Sequence, residues 1–152
     1  MFEDNLVELE DKIGYNFKNR ELLVNALTHK TYAFEALQPV EYNERLEFLG
    51  DSILNFLVAE RLYRTNEFFS EGELTRRRIS IVNNRKLSEI ARELNLGKYL
   101  RLGKGERQQK GYTNPTNLAN ALEALIGAIY LDSNLETVRE IVFNRILIKN
   151  GR

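Results

Sequence analysis

Three acidic side chains recur at short intervals within one otherwise apolar stretch of the chain. They are Glu44, Glu47 and Asp51, so the second and third follow the first by three and seven residues. In a helix, which turns about 100° per residue, all three would lie within roughly 60° of one another. Because like charges on one helical face repel, the cluster indicates a divalent cation that relieves the repulsion. Oxygen ligands of this kind suit Mg²⁺ or Mn²⁺.

A second polar pair interrupts an apolar stretch nearer the C-terminus. Asn120 and Glu123 are three residues apart among leucines and alanines, and a lone acid there is costly to bury without a partner or a metal. If this helix packs against the first one, the pair completes an oxygen-rich pocket with Glu47 and Asp51. Spacing alone leaves an alternative open, in which each acid simply pairs with an arginine such as Arg45.

The elements that must position these side chains are predicted to be helices throughout, with no internal repeat and no strand-like alternation. The pattern predicts a first helix ended by Gly14, a helix capped by Asn19, a long helix over 41–63, an Arg-rich helix opened by Ser70, a helix capped by Asn84, a helix over 117–132 and a last helix opened by Ser133. The long helix is apolar on several sides, so we expect it to be central and buried. Residues 32–40 and the glycine-containing segment 103–116 are predicted loops.

Composition restricts the class of protein. With 152 residues, 43% hydrophobic and 29% charged, the chain fits one globular domain with a substantial core. It contains no cysteine, which excludes disulfides and thiolate metal sites, so any metal must be held by oxygen or by the single His29. We expect His29 to be structural. The acidic N-terminal residues lack a signal-peptide pattern and no apolar stretch is long enough to span a membrane, so we expect a cytoplasmic location without a membrane partner.

Charge is unevenly distributed, although the formal net charge is zero. Residues 41–73 hold eight acids and three bases, whereas 74–92 hold six bases and one acid, and 98–110 hold five bases and one acid. Segregated charge suggests an acidic metal site beside surfaces that meet a polyanion. The alternative for any single run is a solvated helix face.

Eleven consecutive residues of the long helix resemble the signature motif of the ribonuclease III family. They run from Glu44 to Leu54 and read ERLEFLGDSIL. Three further segments match in the same order and at similar separations: Ala-Leu-Thr-His at 26–29, Glu-Gly-Glu-Leu at 71–74 and Glu-Ala-Leu-Ile-Gly-Ala at 123–128. The resemblance therefore covers essentially the whole chain.

This resemblance implies an all-α fold, the ribonuclease III endonuclease-domain helical fold, in a homodimer that cleaves double-stranded RNA. It implies that Glu47, Asp51 and Glu123 are catalytic and that, with Asn120, they hold Mg²⁺, for which Mn²⁺ could substitute. It further implies water as the nucleophile, two cations about 4 Å apart that stabilise an in-line displacement, and products with 5′-phosphate and 3′-hydroxyl ends and short 3′ overhangs.

Three more positions acquire roles only through the resemblance. Glu44 matches a position at the dimer side of the cleft, and Glu71 matches one near the scissile strand. Phe48 matches a residue that inserts into the partner subunit. From the sequence alone, an ordinary core aromatic is the better interpretation of Phe48.

Position 120 departs from the family pattern, which has Asp where this chain has Asn. The amide keeps a carbonyl oxygen that can bind a cation but loses one negative charge. If the geometry is kept, weaker metal binding follows. The residue is either a natural variant or an engineered one, and the sequence does not distinguish these.

Basic residues are candidates for holding RNA, because A-form RNA is read by shape through its phosphates and 2′-hydroxyls. Binding of phosphates by Lys and Arg releases counterions. The predicted RNA contacts are Arg76, Arg77, Arg78, Lys104, Arg107 and Lys110.

Residues 1–152 are predicted to be one catalytic domain. Members of the family often carry a C-terminal double-stranded-RNA-binding domain, and no segment of this chain matches one, so the chain is either an isolated catalytic domain or a natural short form. The leading hypothesis is a magnesium-dependent endoribonuclease acting in RNA processing, including rRNA processing. The alternatives are a cleavage-impaired dimer that binds double-stranded RNA, because of Asn120, and a carboxylate metal hydrolase acting on small phosphates, which would not explain the basic runs.

Overall fold

The computed structural model describes residues 2–147, with side chains from residue 5 onward, and all regular elements in this range are helical. The α-helices are α1 (Phe2–Ile13), α2 (Arg20–Ala26), α3 (Lys30–Glu35), α4 (Glu44–Thr65), α5 (Glu71–Ile81), α6 (Asn84–Glu93), α7 (Lys104–Gln108), α8 (Pro115–Asp132) and α9 (Leu135–Ile141). Short 3₁₀ turns lie at Leu96–Tyr99 and Gly111–Thr113, and a π-helical turn at Val142–Ile146 follows α9. The predicted all-α fold is confirmed.

Helix α8 is the centre of the core. Its small and aliphatic residues are buried on all sides over Leu118–Ile129 with the exception of Asn120, and α4, α6, α2 and α9 pack around it. A helix that is apolar all round has no solvent face and must be enclosed. The polar side chains on α8 are therefore exceptional and need a separate explanation.

The long helix α4 is only partly buried, contrary to our expectation. Ile53, Leu54, Leu57 and Val58 lie in the core, but Phe48 is 77% exposed and other apolar side chains of the helix are also solvent-accessible. The apolar residues on several sides of α4 therefore serve two surfaces, of which the fold of one chain covers only one.

Asparagine and serine side chains begin most of the helices. Asn19 and Ser70 cap α2 and α5 as predicted, each accepting a hydrogen bond from a backbone N–H of the first turn. The predicted cap at Asn84 is wrong by one residue, because the side chain of Asn83 accepts the bond from Lys86 N. Ser133 does not open the last helix, because its hydroxyl donates back to Ile129 O at the end of α8.

Helix α9 is capped instead by Asn134, which accepts from Thr137 N. Helix α4 begins at Glu44 and not at 41. These differences move helix boundaries by one to three residues and leave the order of elements as predicted.

Both predicted loops contain helices that side-chain hydrogen bonds stabilise. In 32–40, the first residues belong to α3, which His29 caps by accepting a hydrogen bond from Thr31 N; the expectation that His29 is structural is thus confirmed. In 103–116, helix α7 and a 3₁₀ turn are held to α8 by a hydrogen bond that Asn117 Nδ2 donates to Glu106 Oε2.

Candidate active site

Two glycines let helices α4 and α8 cross at very short range. A Cβ atom on Gly50 would overlap the backbone carbonyl of Glu123, and one on Gly127 would lie 2.5 Å from the carbonyl oxygen of Leu46. Because Gly50 lies between Glu47 and Asp51 in α4, the crossing brings these two side chains next to Glu123 of α8. The predicted pocket thus follows from backbone contact between the two helices.

The environment of Glu123 is that of a buried acid among other acids. Its side chain is 6% exposed. Burial, followed by hydrogen bonding with Asp51 and the negative charges of Asp51 and Glu47, raises the pKa of Glu123 to about 9. Burial and then the charges of Glu44 and Asp51 also raise the pKa of Glu47. The three carboxyl groups therefore form one electrostatically coupled cluster.

No positive charge of the described residues compensates this cluster. Glu47, Asp51 and Glu123 have no Lys or Arg nitrogen within 4.0 Å, so the alternative in which an arginine such as Arg45 pairs with each acid is wrong for this part of the chain. Asp51 accepts a hydrogen bond from Asn55 Nδ2 at 3.3 Å. Among the described side chains, no three acids or histidines lie close enough together to hold one metal ion.

Asn120 lies on α8 one turn before Glu123, and its side chain is half-buried. Residues three apart on a helix share a face, so the amide lies on the side of α8 that carries Glu123. Within the described residues it makes no hydrogen bond through its side chain.

Glu44 stands at the edge of the cluster. Its carboxylate forms an exposed ion pair with Lys30 at 3.8 Å, and it lines a neighbouring depression of about 770 Å³ that is mostly apolar. The depression includes Phe48, Leu49, Leu131 and Tyr42. Phe48 itself is 77% exposed, so the interpretation as a core aromatic is wrong.

Glu71 and the three consecutive arginines lie on α5 and not in the cluster. Glu71 is exposed and accepts a hydrogen bond from Thr75 Oγ1 at 3.2 Å. Arg78 lines a groove together with Glu71, Arg77 lies over the ring of Phe69 with 4.8 Å from Cζ to the ring centre, and Arg76 is exposed. Successive residues of a helix point about 100° apart, so the three arginines do not form one surface.

The second basic group surrounds α7. Lys104, Arg107 and Lys110 are all exposed. Arg107 donates a hydrogen bond to Leu100 O at 3.0 Å and lines a cavity with Arg92 and Lys98. The structure thus separates the predicted RNA contacts into two groups on different elements.

Comparison with known proteins identifies the family. A family model described as Ribonuclease-III-like matches residues 19–150. The chain belongs to the ribonuclease III family. It is 47% identical to Ribonuclease 3 of Carboxydothermus hydrogenoformans over 137 residues, which is 90% of this chain and 58% of that protein. It is 50% identical to Ribonuclease 3 of Vibrio cholerae over 135 residues, 89% of this chain and 57% of the relative.

Solved structures of the family share the fold. The nuclease domain of ribonuclease III from Campylobacter jejuni superposes with a TM-score of 0.88 at 36% identity, covering 97% of both chains. A second structure of that domain, with a TM-score of 0.87 and 37% identity over 95% of this chain and 97% of that one, is described as showing flexibility in the region involved in dimer formation. Dicer from Pichia stipitis superposes with a TM-score of 0.61 at 30% identity, covering 86% of this chain and 54% of Dicer.

The chain spans about three fifths of the length of the curated ribonuclease III relatives it matches. Among the described residues, no helix is both long enough and apolar enough to cross a membrane.

Sequence reasoning identified the acids but missed the glycines that join them. Gly50 and Gly127 each lie inside a helix, where glycine is less favourable than alanine by about 1 kcal/mol. A glycine in a helix interior signals a close packing contact. That signal was present at both positions and predicts the crossing.

Proposed function

We propose that this chain is the catalytic domain of a double-strand-specific endoribonuclease that depends on Mg²⁺ and works as a homodimer. One observation carries the proposal: the α4–α8 crossing gathers Glu47, Asp51 and Glu123 into a cluster that no cation of the described residues compensates. Residues 1–152 are assigned to this one domain. Membership of the family supplies the reaction class and double-stranded RNA as the substrate.

The donor set fits a hard divalent cation. Glu47, Asp51 and Glu123 provide carboxylate oxygens, and Asn120 provides an amide oxygen on the same side of α8, which suits Mg²⁺ and also Mn²⁺. The pKa values of Glu47 and Glu123 are raised first by burial and then by neighbouring negative charges, which a cation would compensate. Binding requires Glu123 to release its proton and the acidic side chains to turn towards one point.

The residues of the site have two kinds of role in the proposed reaction. Mg²⁺, when bound, would supply charge stabilisation for an in-line displacement at phosphorus. Glu47, Asp51 and Glu123 hold this charge in place, and the buried position of Glu123 limits access of bulk water to its carboxylate. Water would attack phosphorus and the P–O3′ bond would break, so the 3′ oxygen leaves as a hydroxyl and the phosphate stays on the 5′ end. Glu44 and Glu71 act as accessory groups at the margins of the site.

The dimer is proposed from the exposed aromatic side chain on α4. Phe48 projects beside an apolar depression of about 770 Å³. A two-fold axis can bury an exposed aromatic side chain in the depression of a second copy. The same patch of each subunit then forms the interface. We assign Phe48 to the depression of the partner subunit, with Glu44 at its rim.

RNA is proposed to contact the two basic groups. The cations offered to phosphates of the A-form helix are Arg76, Arg77 and the half-buried Arg78 on α5, and the exposed Lys104, Arg107 and Lys110 around α7. The proposed setting is cytoplasmic RNA processing, including rRNA precursors, which agrees with a chain that contains no cysteine.

A second candidate function is favoured by one residue. Asn120 gives the pocket three carboxylates where the family pattern gives four, so the chain could bind double-stranded RNA as a dimer and cleave it weakly or not at all. A metal hydrolase of small phosphates is a third class, which leaves the basic groups without a role.

Incubation with a long RNA duplex and Mg²⁺ separates these functions. Discrete cleavage of both strands supports the endoribonuclease, and retention of the duplex without cleavage supports the binding protein. If the duplex is neither bound nor cleaved, the endoribonuclease and the binding protein are both contradicted.

A further inference from the structure

The C-terminal half of α4 borders a basic pocket that is separate from the carboxylate cluster. It lies between α4, α5, α6 and the π-helical turn and has a volume of about 640 Å³. Asp51 and Arg61 are ten residues apart, or about 15 Å along the helix axis. The pocket is also distinct from the α7 region, none of whose residues line it.

The charge of this pocket is of one sign. Its lining includes Arg61, Arg77, Arg85 and Lys86, and no acidic residue of the described part of the chain. The nearest compensation is an exposed pair between Arg85 and Glu89 at 3.7 Å. Arg61, Arg77 and Lys86 have no carboxylate of the described residues within 4.0 Å. Four cations around one concavity produce a strong local positive potential.

Two of these cations are held by aromatic rings. Arg61 lies over Phe143 with 3.6 Å from Cζ to the ring centre, and Arg77 lies over Phe69 at 4.8 Å. A guanidinium that rests on a ring loses little additional freedom when it binds a ligand, and its planar set of donors matches phosphate oxygens. These contacts prepare the pocket for an anion.

The other two cations lie where a helix does not favour them. Arg85 and Lys86 belong to the first turn of α6, which has no acidic residue. Positive charge at a helix N-terminus opposes the helix dipole. Their presence there is unfavourable for α6 alone and favourable for an anion in the pocket.

We propose that this pocket binds backbone phosphates of the RNA and so extends the RNA contact beyond the cleavage site. The inference rests on the proposed function only for the identity of its ligand. Guanidinium groups pair with phosphates and carboxylates alike, and an RNA strand is favoured over an acidic peptide because the proposed substrate is RNA. Arg61, Arg85 and Lys86 were not among the contacts predicted from the sequence.

The test measures binding of an RNA duplex in EDTA, where metal-dependent cleavage cannot interfere, at several salt concentrations. The variant is the double substitution Arg85→Gln with Lys86→Gln, which does not disturb the cation–ring contacts and removes charges that α6 does not favour. The control is Lys18→Gln with Arg145→Gln, which removes the same charges at exposed positions outside the pocket. Circular dichroism verifies the fold of both.

Loss of two phosphate contacts should weaken binding about tenfold or more near physiological salt and reduce the salt dependence of log K by about 2. The control should match the wild type. Equal binding and equal slopes in the pocket variant would overturn the inference and leave the proposed nuclease intact. A wild type that cleaves with Mg²⁺ but does not bind RNA in EDTA would also overturn the pocket proposal alone. A wild type that neither binds nor cleaves RNA would overturn both proposals.

Further titrations identify the ligand of the pocket. If ATP or inorganic phosphate binds to the wild type and not to the pocket variant, while RNA binding is equal in both, the ligand is a free nucleotide or phosphate and the assignment to RNA is wrong. The same pattern with a polyglutamate peptide would replace RNA by an acidic protein segment.

Discussion

At the scale of single residues, the site is governed by the balance of negative charge. Glu123 is buried beside Asp51 and Glu47, and its raised pKa shows that the folded chain resists a third charge there. Asn120, on the same side of α8, is the position at which this chain has one charge fewer than its family pattern. We therefore propose that both residues control how strongly a cation is held.

Replacing Asn120 by Asp should raise cleavage most strongly at low Mg²⁺, because a fourth carboxylate strengthens cation binding. We expect at least a tenfold increase at limiting metal, with the two forms approaching each other as Mg²⁺ rises. Mn²⁺, which binds N/O sites more tightly than Mg²⁺, should partly restore the Asn form. Single-turnover cleavage against metal concentration measures both effects.

Superimposed curves for the two forms would show that the amide is already an adequate ligand or is no ligand. If the Asp form is also inactive although duplex RNA still binds, the binding-only function is favoured.

Stability without metal should fall as the pH rises, and Glu123 should be a main cause. Its pKa is raised from 4.5 to about 9, so between these values the folded chain retains a proton that the unfolded chain has released. The free energy of unfolding then decreases by up to about 1.4 kcal/mol per pH unit. Urea denaturation in EDTA between pH 5.5 and 8.5 should show this decrease in the wild type.

The variant Glu123→Gln carries no titrating group at this position and should lose less stability over the same range. At pH 8.5 it should be more stable than the wild type in EDTA, and Mg²⁺ should narrow the difference. Parallel stability curves for the two proteins would contradict the raised pKa. The comparison cancels the contribution of Glu47, whose pKa is raised in both.

At the scale of elements, the crossing of α4 and α8 determines the site. Periodicity and capping residues predicted the order of the main helices. Spacing placed Glu47 and Asp51 on one helical face, and it predicted a pocket with Glu123 only on the condition that the two helices pack together. Helix α7 was missed because its sequence is polar and rich in glycine, and contacts such as that of Glu106 with Asn117 stabilise it. The two residues are eleven positions apart. Their contact depends on how α7 packs against α8, so a local sequence pattern does not reveal it.

Gly50→Ala should destabilise the fold by about 3 kcal/mol or more, since its methyl group would overlap the backbone carbonyl of Glu123 and force the helices apart. Gly105→Ala is the matched control, because that position in α7 has no atom within 4 Å of the added methyl. There we expect a gain of about 0.5 kcal/mol from reduced freedom of the unfolded chain. Urea denaturation of both variants measures the difference, and an equal stability of the two would contradict the close crossing.

At the scale of the whole molecule, we propose that a second subunit covers the exposed aromatic surface of α4. The sequence showed apolar residues on several sides of this helix, but only the structure shows that Phe48 is 77% exposed while Ile53 and Leu54 are in the core. Periodicity cannot make that distinction, because both sides of the helix are apolar. The proposed dimer covers the remaining side.

Phe48→Ala should weaken dimerisation by about 2–4 kcal/mol, the scale of an aromatic anchor at an interface centre. Phe68→Ala is the control, since Phe68 is 93% exposed and lies after the end of α4. Sedimentation at micromolar concentration should show a dimer for the wild type and the control and a monomer for Phe48→Ala. A monomeric wild type, or an undiminished dimer in the variant, would contradict the assigned interface.

The central claim is that the carboxylate cluster performs Mg²⁺-dependent cleavage of double-stranded RNA. The most direct measurement is the cleavage rate of a long RNA duplex with Mg²⁺ for the wild type, Glu47→Gln and Glu123→Gln, with the exposed acid Glu67→Gln as control. We predict discrete double-strand cleavage by the wild type and the control, and a loss of about 100-fold or more in both site variants with duplex binding retained. Cleavage at near-normal rates by either site variant would show that the cluster is not the active site.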